Sequence, residues 1–346
     1  MIDRVVMKSE VEGFLDELTS RRMVVAPVAD GRLLRFQQVR RASEIADHIL
    51  PTALPPRKYV LPTEETLFGF RWADGGVDIS PHFDTTEIVM FGVPPCDLSA
   101  LALLDTIFGA DHRDDHYFSR REHVVIVGRE CLEPCDDHAF CAYMGTLEAN
   151  EGFDLLLTDI GDSYYVRVGT IVGRDLIADL PGTREAIYED RVRLRKAHEK
   201  RDESFAHRLD TTPEQLPGLL AESFDSLLWD VLGEKCLSCG ACNIVCPTCY
   251  CFDIGDSVDL DLAGGARHRV WDSCQLREFA MVGTGESFRE SRAMRQKHRF
   301  YRKGKYIMER YGRTACVGCG RCARNCLAKI DPIEVYNQLK GQPIER

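Results

Sequence analysis

The sequence predicts an α+β protein, with an N-terminal α/β domain over residues 1–210 and a mostly helical domain over residues 211–346. Three observations predict it. Two short apolar runs, 87–93 and 123–128, enclose a helical stripe. Residues 142–235 contain no cysteine, which separates one cysteine group from the rest. Two compact cysteine motifs then dominate the C-terminal third.

The first run, EIVMFGV, is short and continuously apolar, as a buried strand requires. After it come Pro94-Pro95-Cys96-Asp97 and LSALALLDTIFG. Leu98, Leu101 and Leu104 with Ile107 and Phe108 share one helical face, with Asp97 as the expected N-cap and Gly109 as the stop. The second run, HVVIVG, leads into Arg129-Glu130-Cys131. Two buried strands with a helix between them imply a βαβ unit and a parallel sheet. Residues 154–169 read as a hairpin turned at Gly161-Asp162. The charged stretch 184–210 reads as a solvated helical linker. Thr212-Pro213-Glu214-Gln215 then has the form of a capping box. One amphipathic helix is expected from Leu216 through Leu219, Leu220, Phe224, Leu227, Leu228 and Val231, stopping at Gly233. Beyond it, short helices and loops are expected around metal sites.

The bulk composition narrows the function. Of 346 residues, 44% are hydrophobic, enough for a full core. The formal net charge of -11 argues against nucleic acid as a partner. No run approaches the ~18 consecutive apolar residues of a membrane span. The N-terminus shows no signal-peptide pattern, so a cytoplasmic location is expected. In that reducing compartment the fifteen cysteines suit metal ligation or thiol chemistry better than disulfides.

Their spacing decides the chemistry. Cys236, Cys239, Cys242 and Cys246 repeat the pattern C-x2-C-x2-C-x3-C, and Cys316, Cys319, Cys322 and Cys326 repeat it again. This is the spacing of [4Fe-4S] ferredoxins, in which three thiolates on one tight turn reach three corners of a cubane. Gly240, Gly318 and Gly320 let such turns wind tightly. Structural zinc favours two C-x2-C pairs with a longer spacer, so the spacing fits clusters better. In two-cluster ferredoxins the fourth cysteine of each motif binds the other cluster. The expected ligand sets are therefore Cys236, Cys239, Cys242 and Cys326 for one cluster, and Cys316, Cys319, Cys322 and Cys246 for the second.

Seven cysteines remain. Cys96 and Cys131 follow the two expected parallel strands, whose carboxyl ends are where open sheets bind ligands. With Cys135 and Cys141 they form a candidate third [4Fe-4S] site, with His138 as a possible substitute ligand. The other reading is that several are ordinary buried cysteines. Cys249, Cys251 and Cys274 could complete that third site, act as redox-active thiols, or pack around the first cluster. Residues 289–310 carry nine Lys or Arg and two Glu. They read as a basic helix, either docking an acidic partner or solvated opposite acidic loops such as 256–261, with the second reading favoured. Neither G-x-G-x-x-G nor a Walker A loop is present, and no catalytic residues are assigned.

In order, GVPPCDLSALALLDTIF, VVIVGRECLEPCDDHAFCAYMGT, CPTCYCFD, WDSC and CVGCGRC resemble the family that unites the A-type component of anaerobic sulfite reductase with the sulfhydrogenase beta subunit, from about Lys58 onward. The resemblance implies an α-helical ferredoxin domain and an electron-relay role. Its implied partners are a flavoprotein diaphorase-type subunit, linked to NAD(P)H or ferredoxin, and a terminal reductase, hydrogenase or heterodisulfide reductase-like module. The chain departs from the pattern at Ala139-Phe140-Cys141, where relatives tend to have C-F-C, at Val282–Arg289, and at Leu327, where proline is common. The alternative function is a catalytic one, directed at disulfide or sulfur substrates, and a DNA-binding redox sensor is remote.

Overall fold

The computed structural model describes residues 3–47, 51–206 and 208–341. Ten strands make the N-terminal layers: β1 (Asp3–Met7), β2 (Met23–Asp30), β3 (Leu33–Val39), β4 (Glu64–Ala73), β5 (Gly76–Pro81), β6 (Ile88–Val93), β7 (Val124–Arg129), β8 (Leu155–Asp159), β9 (Ser163–Val168) and β10 (Arg184–Glu185). Eight of them form one sheet in the order β10-β1-β9-β8-β7-β6-β2-β3. Its centre, β2-β6-β7-β8, is parallel. The flanking pairs are antiparallel, including the β8–β9 hairpin expected at residues 154–169.

Strand residues alternate between two cores because successive side chains point to opposite faces. Val25, Met90, Ile126 and Leu156 pack with Leu98, Leu101 and Leu104 of the helix Pro95–Gly109. Val24, Val89, Val127 and Leu155 pack on the other face with Val11, Leu15 and Leu18 of the helix Lys8–Arg21. A sheet covered on both faces explains why its strands are continuously apolar. The helix begins at Pro95, with Pro94 in the cap position. Proline suits the first helical position because its missing N–H would have no partner there. Asp97 is therefore not the N-cap; it lies in the first turn, and its carboxylate is used elsewhere.

Two more strands, β11 (Phe252–Val258) and β12 (Gly264–Trp271), lie where only loops and short helices were expected. They join β4 and β5 in a four-stranded antiparallel sheet, β11-β12-β4-β5. The expected division at residue 210 is thus crossed, because an isolated hairpin is marginal in water and gains from added strands. Buried charges fasten this sheet to the rest. Arg269 on β12 bonds Glu65 on β4 at 2.6 Å and also pairs with Asp114, while Arg120 pairs with the same Glu65.

The charged helix Tyr188–Ser204 packs against the sheet, with Asp190 and Arg201 buried. It is less solvated than its composition suggests. The single amphipathic helix expected over 216–233 is two, Leu216–Glu222 and Leu228–Lys235. The break is closed locally by Trp229 Nε1 donating to the Ser223 carbonyl at 2.8 Å. Gly233 is not a stop but a point of close approach: a Cβ there would lie 2.6 Å from the Ala293 nitrogen. The basic segment forms the helix Arg292–Tyr301, continued by a π-helical turn at Arg302–Tyr306 into Ile307–Tyr311.

Candidate metal centres

The cysteines converge on three cavities. Cys236, Cys239, Cys242 and Cys326 line the first. Cys246, Cys316, Cys319 and Cys322 line the second. Cys96, Cys131, Cys135 and Cys141 line the third. Each motif thus sends its fourth cysteine to the other motif's cavity. The cavities adjoin: Cys242 and Arg299 border both the first and the second, and Cys319 borders both the second and the third. Among the described residues, no three His, Cys, Asp or Glu side chains converge on a position for a single ion. Four thiols spread around one cavity instead suit a polynuclear cluster.

Local backbone geometry builds these walls. Each motif ends in a short helix, Ala241–Ile244 or Arg321–Arg324, entered from a left-handed glycine, Gly240 (φ 76) or Gly320 (φ 69). Gly318 (φ 65) is also left-handed, and a Cβ on it would lie 2.6 Å from the Cys141 nitrogen. The loop of the second motif therefore rests directly on the loop that carries Cys141. Phe140 N donates to the Gly318 carbonyl at 2.8 Å, and Thr146 Oγ1 to the Val317 carbonyl at 2.7 Å. In the first motif Ser238 takes the equivalent position with φ 53, held by Arg295 Nη2 donating to its hydroxyl at 3.0 Å.

The third cavity sits at the carboxyl ends of β6 and β7, where Cys96 and Cys131 emerge. A buried ion pair ties it to the second motif. Arg321 donates twice to Asp97, at 2.6 Å each, and once to the Thr52 carbonyl at 2.9 Å. Both side chains are 1% exposed. His138 does not line the cavity. Its Nδ1 meets Asp331 at 2.9 Å, and its backbone packs against Gly320. Cys135, not His138, stands at the wall.

The basic helix supplies the electrostatics, which its reading as a solvated helix missed. Arg120, Arg269 and Arg321 pair with buried carboxylates. Around Arg299 and Lys303 the strongest opposite charges are cysteine sulfurs instead. Burial opposes the charge of Arg299, yet Cys242, Cys322, Cys246 and Cys249 hold its guanidinium well above the ordinary value. Lys303 is likewise held up against burial by Cys246 and Cys249. Burial pushes the free thiols of Cys242 and Cys316 up to about 12. Iron binding therefore has to displace protons from them. Amide donors complete the first site: Gln296 Nε2 reaches Cys236 Sγ at 2.9 Å, and the Ile330 N–H reaches Cys326 Sγ at 3.3 Å. Such N–H···S bonds tune cluster potentials. Spacing alone carries no signal for these glutamine and backbone donors. The basic run was visible, but its buried face was not.

These features define a dicluster iron–sulfur protein, and residues 235–330 match the family model of the 4Fe-4S dicluster domain. Over 328 residues the chain is 31% identical to sulfhydrogenase 2 subunit beta of Pyrococcus furiosus, covering 94% of this chain and 95% of that protein. The chain belongs to the sulfhydrogenase beta subunit family and is an iron–sulfur electron-transfer subunit. No solved structure matches it. Among the described residues no helix is long and apolar enough to cross a membrane.

Proposed function

We propose that the chain is a cytoplasmic relay with three [4Fe-4S] clusters in line. Cys236, Cys239, Cys242 and Cys326 bind the first, Cys246, Cys316, Cys319 and Cys322 the second, and Cys96, Cys131, Cys135 and Cys141 the third. The observation that carries this reading is the contiguity of three four-thiol cavities, with Cys242 and Cys319 at the two junctions. The second cluster is then the middle of the wire. Electrons pass between a flavin-containing subunit, linked to NAD(P)H or ferredoxin, and a terminal reductase or hydrogenase module. The relative's identity as a sulfhydrogenase subunit supports a hydrogenase module and a multi-subunit assembly. Exposed Cys239, flanked by exposed Leu237 and Leu327, supports the first cluster as a point of exchange with another protein.

The test is spectroscopic. In anaerobically purified chain carrying Cys96→Ala, the third cluster's signal should vanish from low-temperature EPR of the reduced protein, while the other two persist. The purified chain should oxidise no NAD(P)H alone, yet its clusters should be reduced by dithionite. NAD(P)H oxidation by the isolated chain, or zinc in place of iron, would overturn the reading.

A further inference from the structure

The strands β11-β12-β4-β5 carry no cysteine, so the relay leaves their sheet without a task. Register assigns its two faces, because residues directly opposite in a ladder share a face. Val258 pairs with Gly265, Gly265 with Phe70 and Phe70 with Ile79, so one row crosses all four strands. Trp72 and Val77 pair two residues further on, on the same face. Toward the base of the hairpin that face carries Glu65 and Arg269, which are buried against Arg120 and Asp114. The face is thus covered at its inner end and bare at its outer end.

The bare end is apolar. Trp72, Ile79 and Val258 are 61%, 61% and 58% exposed. Gly265 leaves room for the Phe70 ring, since a Cβ on it would lie 2.7 Å from the ring's Cζ. The adjoining hairpin turn adds Leu260, fully exposed, and Leu262. Leu262 holds φ 58, in the left-handed region, where a turn that meets only water favours glycine or asparagine. A contiguous exposed apolar patch of this kind marks a contact surface.

Charge selects what covers it. Asp74, Asp259 and Asp261 stand in the two turns beside the row, and Asp78 on the outer strand, all exposed. Arg71 faces Asp78 across the ladder, and Arg267 is taken by Asp256. Residues 64–81 and 252–271 together hold eight carboxylates against three arginines. A two-fold contact between copies of this chain would set the same acidic patch against itself. Asp78 on β5, with Asp253 and Asp256 on β11, likewise deters pairing of copies edge to edge. The same sign repels anionic lipid and nucleic acid. A protein surface with an apolar centre and a basic rim matches both features.

We propose that the outer end of this face docks a different subunit of the assembly, one that presents an apolar centre ringed by lysine and arginine. β11 rises about 20 Å over its seven residues. Gly240, next to the exchange point at Cys239, packs beside Ser273 at the base of the hairpin, so the docking end is the opposite one. The contact anchors a subunit and stands apart from the point of electron exchange. The proposal rests on the reading of the chain as one subunit of a larger assembly, and the experiment separates the two.

Hydrogen exchange is compared between the isolated chain and the assembly purified anaerobically through a tag on this chain. Residues 70–79 and 254–263 should exchange more slowly in the assembly alone. Trp72→Ala should weaken the assembly about thirtyfold, as truncation of a central interface tryptophan does. Asp259→Lys with Asp261→Lys should weaken it too, by setting cations against the basic rim. Unchanged iron per chain in these variants shows that they fold. Equal exchange in both samples, or variants that assemble normally, would overturn the docking face and leave the subunit reading standing. Protection already present in the isolated chain, with a dimer's mass in ultracentrifugation, would give the face to a second copy and overturn the proposal. A chain that purifies with no other subunit would overturn both.

Discussion

Asp97 and Arg321 show how much one pair can carry. Asp97 is in the first turn of the helix Pro95–Gly109, one residue from Cys96. Arg321 stands between Cys319 and Cys322. Their paired hydrogen bonds join residues 224 apart in sequence and clamp the second motif to the helix that follows β6. Removing one partner of a buried pair strands the other charge and costs about 3–5 kcal/mol. Asp97→Asn is therefore expected to lower stability by about that amount in denaturant titrations. It should also loosen the third cavity, which Arg321 lines. Retention of full stability would show that the pair contributes nothing beyond packing.

Among the elements, the basic helix is the one whose role changes most between sequence and fold. Nine cations in 289–310 describe a solvated helix equally well. The π-helical turn shifts the register of the ladder by one residue, and such turns recur at functional sites. Here it sets Lys303 Nζ against Thr248 Oγ1 at 2.6 Å, beside Cys246. Arg299, 7% exposed, borders the first and second cavities. A fixed positive charge favours the reduced, more negative cluster. Arg299→Met is thus expected to lower the reduction potentials of both neighbouring clusters, read by EPR-monitored redox titration. Potentials that rise or stay constant would place the charge outside their field.

Across the whole molecule, ion pairs fasten the four-stranded sheet to the helix Asp115–Arg121, which leads into β7. Arg269 bridges Glu65 and Asp114, and Asp114 also caps the helix Asp115–Arg121 by accepting from the Tyr117 N–H at 2.8 Å. Burial alone would raise Asp114, but Arg269 and that N–H outweigh it and hold the carboxyl below its ordinary 3.8. A carboxylate depressed by folding contributes stability above its unfolded value and loses it as pH falls through the folded value. Acid should therefore weaken the join between this helix and the four-stranded sheet below about pH 4. Thermal melts of Asp114→Asn should be lower near neutrality but flatten across that acid range. A parallel acid limb in both proteins would remove Asp114 from the account.

What is local follows from the order of residues alone. The eight ferredoxin cysteines fall within two stretches of eleven residues, and cluster geometry is set by that spacing. The parallel pair β6–β7 and the hairpin β8–β9 were legible for the same reason, since periodicity and turn residues act over a few positions. What joins distant segments emerges from the folded chain instead. The β11–β12 hairpin mixes Phe252, Ile254, Val258, Val270 and Trp271 with charged residues and glycines, and it is completed as a sheet only by pairing with β4. Arg269 and Glu65 meet across 204 residues. Gly233, read as a helix stop, is instead small because another helix lies against it. Buried partners of this kind leave no periodic trace, because their cause is the approach of chain that is remote in sequence.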